Sequence, residues 1–486
     1  MINREINRFA INSYMGTFKS FISKIEKEND IQCLKKVFND LTSCPLYAAY
    51  QTLVKIKSLV ILIHSPQGCA TSMWFLCGGA FSLKAANTGN EHNAALTLTT
   101  NIDQTGFLGK TDQLLYNALV DIQKRYSPKH VVVLSTCCPH IIGEDILGVI
   151  NNVKKIYPEM NIGWMDTAGV KSWYWLNGYD FALQYLVNEI MPNPEKVNCD
   201  EKLVNVITFG NASSVDEQEC IRLLQSIGLQ TQTPLTVPYT SIEEIKKAPN
   251  ARANIMMCKA YGLVLCEEMT KKYGTIFIDA SHPIGSYFTE KWLHKTAEVF
   301  GIEEKANALI ELEKKQIYIE LCNLKKSLSG KRIAISAGHD KIASLLLLAV
   351  ELELKIVYAG ILTYDNSSKA KFVEIANQID YDFVCTVNPQ SYEEVAALNE
   401  IKPDVYIGPA GQTPKISLMN IKTVSCHFND FIGPFFGFKG IINFGRSILD
   451  TINNTSSHIV PVNYLVEGSE KICGRDWFKE FKCGQI

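Results

Sequence analysis

The sequence has no excess of either charge: 48 Lys and Arg stand against 50 Asp and Glu, a formal net charge of −2, with a pI near 6.5. Without a cationic face there is nothing to displace phosphate counterions, so no nucleic acid is expected as a partner. Long apolar runs are also missing. The longest, Leu59–Ile63 and Leu345–Val350, are the size of a strand or a buried helix turn, far short of the roughly 18–20 residues that cross a bilayer, so no membrane is expected either. The first residues, MINREINRFAINSYMGTF, hold neither an apolar segment nor a small-residue cleavage site, which predicts a cytoplasmic protein. Cysteine is too scarce for a disulfide scaffold: 15 of 486 residues, against the roughly 8–10% of such chains. The number is also odd, so the thiols are buried hydrophobes, nucleophiles or metal ligands.

What is there is an alternation. Short runs of strand formers recur: LVILIH (59–64), HVVVLST (130–136), LVNVITFG (203–210), ANIMMC (253–258) and TIFIDA (275–280). They continue as KRIAISAG (331–338), LKIVYAG (354–360), DFVCTV (382–387), DVYIGPA (404–410) and TVSCH (423–427). Each is followed by Gly, Pro, Ser or Asn and then by a stretch of helical periodicity. Strand–helix–strand repetition predicts parallel sheets covered by helices, because a parallel connection needs a crossover. At roughly 150 residues per domain the length suggests about three domains. The polar segments near 192–202 and 325–331 divide the chain into α/β units at 1–200, 201–328 and 329–455, with a C-terminal tail at 456–486. The expected fold class is α/β: three doubly wound, Rossmann-like parallel-sheet units around a central crevice, preceded by a helical N-terminus over residues 1–55.

In doubly wound units ligands sit outside the carboxyl ends of the strands. Those ends carry HSPQGC (64–69), STCCPH (135–140), MMCKAYG (256–262), SAGHD (336–340), GPAGQT (408–413) and SCHFND (425–430), so cysteine and histidine gather there. Cys69 and Cys137 each directly follow a strand, and Gly68 is read as admitting a close backbone approach. Cys44, in TSCPLYAA, stands at a helix start, where backbone N–H groups favour the thiolate. Soft thiolates select iron–sulfur clusters, zinc or copper(I). The spacings match neither paired CxxC zinc ligands nor a compact ferredoxin run. Spacing alone therefore leaves both a three-thiol site and three unrelated buried cysteines open.

The segments CPLYAA (44–49), HSPQGC (64–69), GFLGKTDQLL (106–115), STCCPHIIGED (135–145) and GPFFGFKG (433–440) together resemble the nitrogenase component 1 superfamily. The resemblance runs from about residue 40 to 455. It implies that Cys44, Cys69 and Cys137 bind an iron–sulfur relay cluster, P-cluster-like, shared with a β-like partner chain. It also implies that Cys258 and His427 hold opposite ends of an iron–sulfur active-site cluster, as in the catalytic α chain of the molybdenum–iron protein. Read on their own, Cys258 is more often a buried strand-end thiol and His427 a hydrogen-bonded core histidine, and only the joint match with the family makes them ligands. Electrons would come from an ATP-hydrolysing iron–sulfur reductase. No nucleotide site is expected in this chain, since Gly109-Lys110-Thr111 lacks the first glycine of a phosphate-binding loop.

The expected function is thus the α-like subunit of a nitrogenase-like reductase acting on a small molecule. The alternative is a scaffold that holds a cluster precursor and hands it on. Tyr179, His339 and Gln412 are candidate groups around the second cluster. Around them the chain departs from the nitrogen-reducing pattern: the aromatic run Trp173-Tyr174-Trp175 precedes Gly178, His339 or Asp340 stands where a basic residue is expected, and the lysine near GPAGQTPK (408–415) is absent or displaced to Lys415. Cys138, Cys266 and Cys426 read as buried thiols. His64 and His140 read equally as donors to sulfur or as structural histidines.

Overall fold

The run Leu59–His64 is buried along its whole length, as a strand must be when helices cover both faces of its sheet. In the computed structural model, which describes residues 11, 13–27, 43–75, 94–104, 109, 111–208, 213–236, 239–426 and 432–454, it lies inside a four-stranded parallel sheet. The order is Leu96–Thr99, Leu59–His64, His130–Ser135, Asn161–Asp166. A second four-stranded parallel sheet is wound the same way: Gln230–Leu235, Asp200–Ile207, Ala251–Met256, Ile276–Ile278. The third places Val384–Val387, Lys355–Ile361, Arg332–Ala337, Val405–Gly408 and Lys422–Ser425 side by side, all parallel. In each sheet the winding reverses beside its first strand. The loops there part in opposite directions and leave a crevice at the carboxyl ends.

The N-terminal expectation needs correcting. Phe18–Lys27 and Pro45–Leu53 are helical, but Tyr14–Thr17 is a strand, antiparallel to Val384–Val387 at the edge of the third sheet. It covers backbone groups that an open edge would expose. Phe18, the next residue, stacks on Phe383 with ring centroids 4.8 Å apart. The N-terminal segment therefore packs on the last sheet.

The units share their cores. One cluster of buried side chains runs from Val204 and Ile255 through Trp292 to Ile335 and Ile407, joining the second and third sheets. Another joins Leu53, Ile61 and Tyr179 to Leu235 and Met256, linking the first to the second. The short parallel pairing of Ile56–Lys57 with Thr240–Ser241 adds a backbone stitch between them. The crevice between the sheets is thus held by continuous packing. Among the described residues no helix is long and apolar enough to cross a membrane.

Candidate functional site

Cys69 and Cys137 follow the two strands that flank the first sheet's reversal. Cys69 lies in the first turn of the helix Gln67–Met73, and Cys137 is the first residue of the helix Cys137–Ile142. Cys44 caps the helix Pro45–Leu53, where proline costs nothing because the first N–H has no partner within the helix. All three are free, partly buried thiols. The loop after Asn161–Asp166 brings Gly169 against them: a Cβ there would stand 3.0 Å from Cys44 Cβ and 3.7 Å from Cys137 Sγ. Burial pushes the Cys69 thiol up, and negative charge on Cys44, Cys137 and Cys138 pushes it further. Burial likewise raises Cys44, with Cys137 adding to it and the Leu46 and Tyr47 amides opposing it. Ionisation of Cys44 and Cys69 is thus opposed by burial and by their neighbours, an opposition that a bound cation would relieve. The donor set and the bare Gly169 backbone fit an iron–sulfur cluster held from this side by three sulfurs.

The histidines beside these cysteines are structural. His64 Nδ1 lies 2.9 Å from Thr100 Oγ1 and its Nε2 3.0 Å from the Glu144 carboxylate. His140 Nδ1 lies 3.0 Å from Asp166, which also accepts from Lys171 Nζ at 2.8 Å. Gly68, read as a point of close approach, has no described atom within 4 Å of where its Cβ would be. It sits in the first turn of the helix Gln67–Met73.

A second site lies in the crevice. A cavity of about 190 Å³ is lined by Trp175 from the first unit, by Cys258, Tyr261 and His282 from the second, and by Gly338, Asp340, Lys341 and Thr363 from the third. Cys258 ends the strand Ala251–Met256 and caps the helix Lys259–Tyr273. Burial pushes its thiol well above the usual range and the Asp340 charge adds to this, against the Ala260 and Tyr261 amides and Lys371. Asp340, fully buried, accepts at Oδ1 from Ser281 Oγ at 2.8 Å and Lys371 Nζ at 3.0 Å. At Oδ2 it accepts from the Lys259 amide at 2.7 Å and faces His282 Nδ1 at 3.0 Å. Burial alone would favour the neutral acid, but Lys371 and His282 outweigh it and hold the carboxyl well below the usual carboxylate range. Burial also brings the His282 imidazole down to about 4, although Asp340 pulls the other way. At neutral pH this is a buried carboxylate, a lysine opposing it, a neutral imidazole and a protonated thiol.

The remaining candidates fall differently. His427 lies outside the described residues. His339 is buried with Nδ1 3.1 Å from the Thr363 carbonyl and its ring against Tyr364. It packs into the third unit, and its neighbour Asp340 is the one that lines the cavity. Tyr179 is buried one ring behind the wall, its hydroxyl donating to Gln51 Oε1 and its ring edge-on to Tyr261 at 4.6 Å. Gln412 precedes the short helix Thr413–Ser417, and Pro409, not Gln412, is on the lining. Lys415 bonds Ser391 Oγ at 2.8 Å on the surface; the cavity's own cation is Lys341, whose Nζ donates to the Cys426 carbonyl at 2.5 Å. Of the aromatic run only Trp175 lines the cavity; Tyr174 is buried and bonds Asp365, and Trp173 is exposed. Cys266 and Cys426 are buried, as expected, while Cys138 is partly exposed beside Glu144.

Sequence reasoning missed His282 and Lys371. His282 follows the strand Ile276–Ile278, so the rule that selected six other strand ends points to it as well. Lys371, on the helix Lys369–Ala376, carries no such signal.

Comparison with known proteins identifies the family. A family model described as nitrogenase component 1 type oxidoreductase matches residues 44–453. A nitrogenase iron-molybdenum cofactor biosynthesis protein NifE from Methanococcus maripaludis is 27% identical over 412 residues, covering 84% of this chain and 82% of that protein. The nitrogenase molybdenum-iron protein alpha chain of Methanosarcina barkeri is 23% identical over 449 residues, covering 81% and 82%. Among solved structures, a nitrogenase Cp1 structure at pH 5 superposes with a TM-score of 0.70 over 93% of this chain and 95% of that one, at 19% identity, a likeness of fold. The chain belongs to the nitrogenase component 1 type oxidoreductase family.

Proposed function

We propose that this chain is a scaffold of the nitrogenase component 1 type, which receives an iron–sulfur cofactor precursor as cargo and passes it on. The relatives named for cofactor biosynthesis carry this reading: besides the Methanococcus protein, the NifE of Clostridium pasteurianum is 26% identical over 423 residues, while the alpha chain noted above stands at 23%. The cavity supports it. Burial and the Asp340 charge oppose ionisation of the Cys258 thiol, so this sulfur holds a cluster less firmly than an unopposed one. Such a site favours a cargo that leaves.

The cargo would be held through Cys258, with His427 the candidate for its other end. Tyr179 would act only through Tyr261, by fixing that ring in the wall. Cys44, Cys69 and Cys137 would hold a resident iron–sulfur cluster, which supplies one-electron transfer when bound. Trp74, Ile141, Leu147 and Val170, near Cys69, Cys137 or Gly169 in sequence, are exposed, apolar surface suited to a β-like partner chain. Electrons would come from an ATP-hydrolysing iron–sulfur reductase.

The alternative is the catalytic α-like subunit, favoured by the retained Cys258 and His427 pair. Anaerobically purified protein, loaded with cofactor precursor and mixed with apo-acceptor, separates the two. Cluster transfer without reductase-dependent reduction of acetylene or protons is expected. Sustained ATP-dependent turnover, or no transfer, overturns the scaffold reading.

A further inference from the structure

The sulfur of Cys258, an imidazole nitrogen of His282 and a carboxylate oxygen of Asp340 lie within 4.8 Å of one another. Each comes from a different segment, and each is fixed before any ligand arrives. Cys258 is set by the start of its helix, where the Tyr261 and Gly262 amides bond its carbonyl at 3.2 and 3.0 Å. The His282 amide donates at 3.0 Å to the carbonyl of Met257, the residue before Cys258. Asp340 is set by Lys371, Ser281 and the Lys259 amide.

The backbone at His282 is bent to reach this place. Its φ is +46°, a left-handed conformation in a buried non-glycine residue, which costs on the order of 1–3 kcal/mol. The Ser344 hydroxyl, donating to the His282 carbonyl at 3.2 Å, helps to hold it.

We propose that Cys258, His282 and Asp340 form a binding site for a single divalent transition-metal ion, zinc or iron(II), that uses sulfur, nitrogen and oxygen donors. The distances suit it. The Nδ1-to-Oδ2 separation is 3.0 Å, close to the roughly 3.3 Å edge of a tetrahedron whose bonds are about 2.0–2.1 Å. Drawing all three donors to bonding distance asks for movements on the order of 1 Å. On binding, the Cys258 thiol gives its proton to solvent and the imidazole carries its proton on Nε2, so that Nδ1 turns from its bond with Asp340 to the ion. Lys371 does not occupy the site. Its three short contacts are to Asp340 Oδ1, the Asp340 carbonyl and the Ser281 carbonyl, so it braces the far oxygen of the carboxylate, as outer-shell partners of metal ligands do. The fourth position opens on the cavity, where Lys341 and Thr363 stand. Such an ion would contend with a cluster for the Cys258 sulfur, but its binding does not depend on the scaffold reading.

Cobalt(II), added anaerobically to the cluster-free full-length chain, tests the site. The C44S/C69S/C137S variant removes the other thiol group and leaves this one. It should bind one cobalt per chain, with the near-ultraviolet sulfur-to-cobalt charge-transfer band of a tetrahedral thiolate site. Adding C258S should abolish the band. H282A should weaken binding by roughly tenfold to a hundredfold or more, since even outer-shell changes cost that much, and K371M should cost about tenfold. D340N/K371M, which removes the carboxylate charge together with its partner, serves as the oxygen-ligand variant, its fold checked by circular dichroism. A band that survives C258S, or an affinity unmoved by H282A and D340N/K371M, overturns the proposal. Neither result bears on cluster transfer, which the scaffold reading requires separately.

Discussion

His64 and Glu144 tie the two cysteine-bearing loops of the first unit together: Nε2 of the histidine lies 3.0 Å from the carboxylate, and both side chains are buried. His64 ends the strand that leads to Cys69, and Glu144 follows the helix that Cys137 begins. Thr136, next to Cys137, adds a hydroxyl bond to the His64 carbonyl at 3.1 Å. The separation of the two thiols is therefore set by polar contacts remote from sulfur. Replacing Glu144 with Ala leaves a buried imidazole donor unanswered, at a cost of about 1–3 kcal/mol. We expect E144A to unfold at lower urea and to lose much of the iron that we propose Cys44, Cys69 and Cys137 bind, with E144Q between it and the natural chain. Unchanged iron per chain in E144A would remove this role.

Lys371 and Asp340 make a second buried contact, from the helix Lys369–Ala376 to the helix His339–Glu351. Removing one charge of such a pair leaves the other stranded, at about 3–5 kcal/mol, whereas removing both costs far less. K371M should therefore be strongly destabilised in chemical denaturation and D340N/K371M largely restored. If the double variant were no more stable than K371M, the pair would not be coupled.

These examples mark where the sequence was legible. Strands such as Leu59–His64 and His130–Ser135 are buried on both faces, so their β-branched runs stand out. The cysteines that follow them lie at the crevice because parallel winding puts strand ends there. Tyr14–Thr17 was illegible because four residues running straight into a helix carry no period of their own. The Asp340 network was illegible for another reason. Its contacts join residues 58 and 31 positions apart, and no local spacing encodes that. His339 and Asp340 are adjacent in the first turn of one helix, where successive side chains point about 100° apart. Strand-end reasoning found the pair, and only packing decides which member faces the cavity.

Cys258 offers a direct separation of the two centres. It follows a strand of the second sheet, whereas Cys69 and Cys137 follow strands of the first. C258A should abolish retention of the cargo cluster and leave the iron bound through Cys44, Cys69 and Cys137 in place. Metal analysis with electron paramagnetic resonance on anaerobically purified protein reads both at once. Equal cluster content in C258A and the natural chain would count against Cys258 as a cargo ligand.

Gly178 controls how the helix led by Cys44 is seated. The helices Asn177–Tyr185 and Pro45–Leu53 cross so closely that a Cβ at Gly178 would fall 1.9 Å from the Pro45 carbonyl oxygen and 2.8 Å from the Ala49 nitrogen. Backbone cannot swing aside as a side-chain tip can, so the helices must part. G178A should destabilise the chain by about 1–3 kcal/mol or more and shift Cys44 away from Cys137, lowering iron retention. G68A is the control on another glycine of the first unit, with no described atom within 4 Å of its Cβ position. In a helical turn Ala is favoured over Gly by roughly 0.5–1 kcal/mol, so G68A should be neutral or slightly stabilising, with iron unchanged. Equal behaviour of the two variants in urea unfolding and iron content would mean that the close crossing at Gly178 does not govern the thiol geometry.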